Sequence, residues 1–200
     1  MSQATPLTPL SALGSRICIY GPSNSGKSTL AEAIAHRRGW PAIHLDQLRH
    51  LPGTDWQPRP LEAFVALHDA AIADEAWVID GNYSVCLPQR LQRATGVILL
   101  DVATPTSLFR YLRRSLRRSG QPRAGALEGG RDSIQWAMLR HIAVTTRENR
   151  RRYAQLFAQI PLPKIRLASM RAIDHCYRAW GLERFARQVG DEVPARAPRR

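Results

Sequence analysis

The feature that most constrains the fold of this chain is an uninterrupted glycine-rich loop, Gly21-Pro-Ser-Asn-Ser-Gly-Lys-Ser28. It fits the pattern G-x-x-x-x-G-K-[ST], which requires a strand before the loop and a helix after it. Both are predicted here, because residues 16–20 are a short β-rich apolar run and residues 27–38 have one apolar helical face. Such a loop wraps its backbone N–H groups around a phosphate, and the positive end of the helix adds to the attraction. The chain is therefore expected to bind a phosphorylated ligand.

The side chains of this loop have separate expected roles toward ATP and Mg²⁺. Lys27 is expected to reach the β- and γ-phosphates and to act in catalysis, while the Ser28 hydroxyl is expected to ligate the metal. Thr29 is placed to donate to the α-phosphate. The full set of nucleotide-binding residues expected in this segment is Gly21, Ser23, Asn24, Ser25, Gly26, Lys27, Ser28 and Thr29.

Strand-like and helix-like segments alternate along the rest of the chain. Strands are predicted at 42–46, 76–80, 96–101 and 164–168, and helices at 61–73, 87–94, 105–118, 132–159 and 172–189. This alternation predicts an α/β fold, in which a parallel sheet carries helices on both faces. We expect a flexible leader at 1–15, a single domain at 16–190 and a disordered basic tail at 191–200.

Three aspartates follow apolar strands in this prediction, and parallel strands bring their carboxyl ends to one edge of the sheet. Asp80 best suits the metal, as a carboxylate that holds a metal-bound water. Asp46 best suits the acceptor side, where it would bind a substrate hydroxyl or take its proton. Asp101 is the weakest candidate, since an aspartate after a strand often only caps the next turn.

The net charge of +13 comes from 29 basic and 16 acidic residues, and it is unevenly distributed. Residues 1–109 carry 8 basic and 9 acidic side chains, residues 110–152 carry 12 and 3, and residues 153–200 carry 9 and 4. One stretch therefore holds most of the excess. A strongly basic chain suggests nucleic acid as a partner, but a polyphosphate close to Lys27 explains a local arginine cluster more economically.

That stretch begins with five arginines at helical spacing: Arg110, Arg113, Arg114, Arg117 and Arg118. A glycine-rich segment follows, and a second basic face, Arg147, Arg150 and Arg151, lies beyond it. Two basic faces that flank a flexible loop predict an arginine lid at about 110–131, because guanidinium groups match phosphoryl oxygens well. Three or four of these arginines are expected to be functional and the rest to be solvated.

Composition excludes several classes of protein. A hydrophobic content of 44% is too high for a disordered chain, and no apolar run approaches the ~20 residues of a membrane span. No apolar segment typical of a secretory signal follows the first methionine. The three widely spaced cysteines suit neither a disulfide framework nor a zinc site, so a cytoplasmic location is expected.

Taken together, these residues resemble the adenylate-kinase-like P-loop kinases. The resemblance rests on the phosphate loop, Leu45-Asp46, the Trp77-Val-Ile-Asp-Gly-Asn-Tyr83 block, Leu100-Asp101 and the Arg110–Arg118 run. It is stronger to the bacterial group labelled adenylate kinase or "DNA topology modulation protein", and it covers about residues 16–180.

The resemblance implies a three-layer P-loop kinase fold with a five-stranded parallel sheet in the order 2-3-1-4-5. It also implies an acceptor lobe at about 46–75 and a lid at about 110–131. Lys27 and Ser28 would then take the phosphate and Mg²⁺ roles, and Asp80 would lie near the metal. The lid would begin at Arg110 and Arg114, which would act in catalysis, and Arg114 would also bind the nucleotide.

One departure from that family concerns the acceptor. Adenylate kinases follow the third-strand Asp-Gly with Phe/Tyr-Pro-Arg, whereas this chain has Asn82-Tyr83-Ser84, and Arg90 is the next arginine. The expected activity is transfer of the γ-phosphoryl group of ATP to a small acceptor, either a nucleoside monophosphate or another metabolite. A nucleic-acid-associated ATPase and a nucleotide-binding protein with weak catalysis stay open as alternatives.

Overall fold

The computed structural model describes residues 7–54, 56–107, 109, 125 and 146–184, with side chains from residue 149 onward in the last range. The strands are β1 Arg16–Tyr20, β2 Ala42–His44, β3 Trp77–Asp80, β4 Gly96–Leu100 and β5 Lys164–Leu167. The helices are α1 Lys27–Arg38, α2 Leu45–Arg49, α3 Leu61–Ala71, α4 Leu87–Arg93, α5 Thr146–Gln159 and α6 Met170–Ala179. Two 3-10 helices, Leu10–Leu13 and Ser84–Cys86, precede β1 and α4.

The five strands form one parallel sheet in the order β2-β3-β1-β4-β5, which confirms the predicted order. The central strand β1 pairs with β3 on one side and with β4 on the other. In an open parallel sheet, ligands bind outside the carboxyl ends of the strands, at the point where the strand order reverses. That point lies at the end of β1, where the glycine-rich loop begins.

Both faces of the sheet are covered, because alternate residues of each strand enter two separate cores. In β1, Ile17 and Ile19 pack into a core with Leu30 and Ile34 of α1. Residues on the opposite face of the same strands, with Phe64 of α3, form the second core. The three-layer α/β architecture expected from the sequence is therefore present.

The boundaries differ from expectation in two places. The 3-10 helix Leu10–Leu13 lies within the segment expected to be a flexible leader, yet Leu13 is fully buried in the first core. The second strand, expected at 42–46, ends at His44, and Asp46 lies in the first turn of α2.

Much of the expected lid, including Arg110 and Arg114, lies outside the described residues, as do the tail at 191–200 and residues 1–6. The start of the long helix expected at 132–159 lies outside them too, and α5 is its described part. Residues 104–107 and 109 are helical, in agreement with the helix expected after β4. Within the described parts of the chain, no helix is long and apolar enough to cross a membrane.

Candidate active site at the carboxyl edge of the sheet

The glycine-rich loop turns sharply between β1 and α1. Gly21 has a φ of 146°, and a β-carbon built on it would lie 2.3 Å from the carbonyl oxygen of Leu100. Asn24 has a φ of 61°, and Gly26, which precedes α1, has a φ of 101°. Positive φ angles are available mainly to glycine and, less readily, to asparagine. The sequence therefore has the right residue types for this backbone.

The ammonium group of Lys27 is folded back onto the loop, where it donates to the carbonyl oxygen of Pro22 at 2.9 Å. Burial lowers its pKa, and the nearby carboxylates of Asp80 and Asp46 oppose that shift. Lys27 therefore lies within electrostatic reach of both candidate acidic residues. The Ser25 hydroxyl is buried, and no hydrogen-bond partner for it is found in the described structure. A loop-bound phosphate would supply such a partner.

The expected metal side chains, Ser28 and Asp80, are in contact. The Ser28 hydroxyl donates to Asp80 Oδ2 at 2.8 Å. A hydroxyl and a carboxylate are the oxygen ligands that Mg²⁺ prefers, and Mg²⁺ usually keeps several waters, so few protein ligands suffice. The donor set of Ser28 and Asp80 fits Mg²⁺. Gly125, from the expected lid, lies against Ser28.

His44, which sequence reasoning did not assign, is part of this site. It is the register partner of Asp80 across β2 and β3, so both side chains lie on one face of the sheet. Its Nδ1 contacts Asp80 Oδ1, and its Nε2 lies 3.0 Å from Glu32 Oε1. Burial works to lower the His44 pKa, but the hydrogen bonds to these two carboxylates outweigh it and raise the pKa to about 9. The alignment of the two strand ends is the sequence signal that could have indicated this contact.

On the acceptor side, Asp46 is exposed on α2 and accepts a hydrogen bond from the Tyr83 hydroxyl at 2.8 Å. Burial and the nearby Asp46 carboxylate raise the pKa of Tyr83 well above its usual range, so the phenol remains a donor. Arg49 is half-buried one helical turn beyond Asp46, and its guanidinium lies over the Phe64 ring. Asp46 therefore reaches the site from a short helix rather than from a strand end.

The segment after β3 connects the two sides of the site. The Asn82 amide donates to the Gly21 carbonyl oxygen at 2.7 Å and accepts from the Gly21 N–H at 3.3 Å. The next residue, Tyr83, contacts Asp46, and its carbonyl oxygen accepts a hydrogen bond of 3.1 Å from Arg90. Arg90 is fully buried, so its hydrogen bond holds this segment against the protein interior.

The carboxylate of Asp101, the third candidate aspartate, is held by two arginines. It is buried, and it accepts hydrogen bonds from Arg150 Nε at 2.6 Å and from Arg166 Nε at 3.0 Å. Burial works to raise its pKa, but these two arginines outweigh burial and lower it. Arg150, which the sequence placed on a phosphate-facing basic surface, is thus paired with a carboxylate.

Two other loop residues have surfaces that a nucleotide could reach. Ser23 is half-buried and Thr29 is exposed. The nucleotide-binding roles expected for them, and for Arg114, stay predictions.

No family model and no curated protein matches this sequence. Solved structures do match. A gluconokinase from Sinorhizobium meliloti 1021 is 15% identical, with 84% of this chain and 90% of that chain covered and a TM-score of 0.51. A shikimate kinase from Acinetobacter baumannii in complex with shikimate is also 15% identical, with 82% and 89% covered and a TM-score of 0.50. The chain has the three-layer α/β fold of these P-loop kinases.

Proposed function

We propose that this protein is a kinase that transfers the γ-phosphoryl group of ATP·Mg²⁺ to a hydroxyl group of a small molecule. The observation that carries the proposal is that the side chains expected to bind ATP and the acceptor-side residue Asp46 belong to one site at the carboxyl edge of the sheet. Ser28 and Asp80 are in contact on the loop side. The segment after β3 joins the loop to the acceptor side, because Asn82 donates to Gly21 and Tyr83 donates to Asp46. The kinase fold of the two solved structures supports the same assignment.

Each residue has a defined task in this proposal. The backbone N–H groups of residues 23–28 and the Lys27 ammonium hold the β- and γ-phosphates. Ser28 and Asp80 hold Mg²⁺, which neutralises charge that develops on the phosphoryl oxygens. Asp46 accepts the proton of the attacking hydroxyl, and its exposed position on α2 leaves it accessible to an acceptor. Arg110 and Arg114 stabilise the transferring group from the lid.

The acceptor proposed here is a small hydroxylated molecule that also carries an anionic group. Arg49 and Arg59 are both half-buried, and Arg49 lies on α2 one turn beyond Asp46. The Arg49 guanidinium donates to the carbonyl oxygen of Arg59, and the Arg59 guanidinium donates to that of Leu48. Neither guanidinium forms an ion pair within the described structure. Partly buried guanidinium groups are stabilised by an anion. Gluconate and shikimate are the first compounds to test, because the two similar structures are kinases named for them, and AMP is the third.

The experiment is a phosphotransfer screen of these and other small hydroxylated metabolites with ATP·Mg²⁺, together with ATP binding measured by calorimetry. Lys27→Ala should lower turnover at least about 100-fold, the effect of removing one group that stabilises transition-state charge, and should leave the fold intact by circular dichroism. Lys164→Ala is the matched control, because Lys164 is the only other lysine and donates to carbonyl oxygens at the end of α5. It should keep full turnover.

Two results would contradict the proposal. Unimpaired turnover in Lys27→Ala would show that the loop lysine takes no part in transfer. Tight ATP binding without turnover toward any acceptor would instead favour a nucleotide-binding protein with weak catalysis.

A further inference from the structure

A single hydrogen bond joins the acceptor carboxylate to a residue of the neighbouring loop. The Tyr83 hydroxyl donates to Asp46 Oδ1 at 2.8 Å, although 36 residues separate the two in sequence. This bond occupies one of the two carboxylate oxygens, which are the atoms that would receive the proton of an acceptor hydroxyl.

The Tyr83 side chain is held in this position from several directions. Its ring packs against Phe64 of α3 at a centroid distance of 5.2 Å, with the planes tilted by 59°. Its carbonyl oxygen accepts from the buried Arg90, and Asn82, one residue earlier, is bonded twice to Gly21. The Tyr83 ring is therefore held by the protein's own packing, while its hydroxyl hydrogen can rotate away from Asp46 when another donor takes that position.

Asp46 itself is exposed to solvent. A carboxylate that can take the proton of an acceptor hydroxyl can also take the proton of a water molecule. With ATP bound and no acceptor present, water attack would then release phosphate without product. Kinases that share this chemistry need some means to favour the acceptor over water.

We propose that Tyr83 determines this specificity: its hydroxyl occupies Asp46 until an acceptor hydroxyl replaces it, and so restrains hydrolysis of ATP. The inference rests on the proposed kinase function. In the step that Tyr83 restrains, the water oxygen bonds to the γ-phosphorus, the bond from that phosphorus to the ADP oxygen breaks, and the water proton passes to Asp46. ADP leaves with the electron pair of the broken bond.

The test is phosphate release from ATP·Mg²⁺ in the absence of any acceptor. Tyr83→Phe should release phosphate about three- to tenfold faster than the wild type, a range that matches the loss of one hydrogen bond of ordinary net strength. The dissociation constant for ATP, measured by calorimetry, should be unchanged. Tyr153→Phe, which removes a phenolic hydroxyl on α5, is the matched control and should hydrolyse ATP at the wild-type rate.

The added hydrolysis must depend on Asp46. In the double variant Tyr83→Phe with Asp46→Asn, phosphate release should fall to the wild-type rate or below it. Tyr83→Leu, which lacks the hydroxyl as well, should show the same increase as Tyr83→Phe and so covers the case in which one variant folds poorly.

The outcomes separate this inference from the function on which it rests. ATP binding with no increase in either Tyr83 variant overturns the inference alone, as does an increase that persists in the Asp46→Asn background. Absence of ATP binding in the wild-type protein overturns the proposed function, and the inference with it.

Discussion

Replacement of Gly21 by alanine tests how tightly the glycine-rich loop is packed against the sheet. The backbone at this position has a φ of 146°, and a β-carbon would lie 2.3 Å from the Leu100 carbonyl oxygen and 3.0 Å from the Leu100 β-carbon. The oxygen belongs to the last residue of β4, so it cannot move without disturbing the sheet.

Two costs add in Gly21→Ala. A non-glycine residue in this region of φ costs about 1–3 kcal/mol, and overpacking against a fixed atom costs about another 1–3 kcal/mol. Alanine restricts the unfolded chain more than glycine does, and this raises the free energy of unfolding by about 0.4–1 kcal/mol. The free energy of unfolding should therefore fall by about 1–6 kcal/mol.

The measurement is equilibrium unfolding in urea, with Gly39→Ala as the matched control. Gly39 also has a positive φ, 68°, but a β-carbon there would have no atom within 4 Å. Its substitution should cost only the left-handed conformation, about 1–2 kcal/mol, less the same gain of about 0.4–1 kcal/mol from the restricted unfolded chain. If Gly21→Ala costs no more than Gly39→Ala, the close approach of the loop to β4 is not a determinant of stability, and the reasoning fails.

Three further predictions concern charge and ligand binding. Asp101→Asn should destabilise the protein by about 1–2 kcal/mol at pH 7, because it weakens the bonds from the partly exposed Arg150 and Arg166. Since the Asp101 pKa is lowered in the folded state, the wild-type advantage should be complete above about pH 4 and shrink as the pH falls through that lowered pKa, as urea unfolding at pH 7 and pH 3 would show. Asn82→Ala removes two hydrogen bonds to Gly21 and should weaken ATP binding about tenfold by calorimetry. Duplex DNA should bind in an electrophoretic shift assay only through charge, with affinity that falls at least about tenfold between 50 and 200 mM salt; a complex that survives physiological salt would instead favour the nucleic-acid-associated ATPase.

The parts of the fold that sequence predicted well are those set by local pattern. The G-x-x-x-x-G-K-[ST] motif placed β1, the loop and α1, and the buried apolar runs placed the other strands. The same local reasoning misplaced Asp46, because apolar and polar residues alternate over 43–46 as they do in a strand. The strand ends where its pairing with β3 ends, at His44 opposite Asp80, and pairing is not visible in a single segment.

The contacts that sequence could not supply are those between distant segments. Tyr83 meets Asp46 only because α2 lies beside the loop after β3. Asp101, the weakest of the three candidate aspartates in sequence, has its partners Arg150 and Arg166 far along the chain. In each case the residue type fits more than one role, and tertiary packing selects among them.

The location of Asp46 on α2, outside the sheet, has a consequence for how the activity could diversify. In the proposed kinase, one segment of the chain between β2 and β3 holds the acceptor-side residues Asp46, Arg49 and Arg59. The groups assigned to ATP instead lie in the loop after β1, at the end of β3 and in the expected lid at about 110–131. In that kinase, acceptor preference would thus depend on one contiguous segment. Exchange of that segment between related enzymes could alter the substrate without a change in the residues that bind ATP.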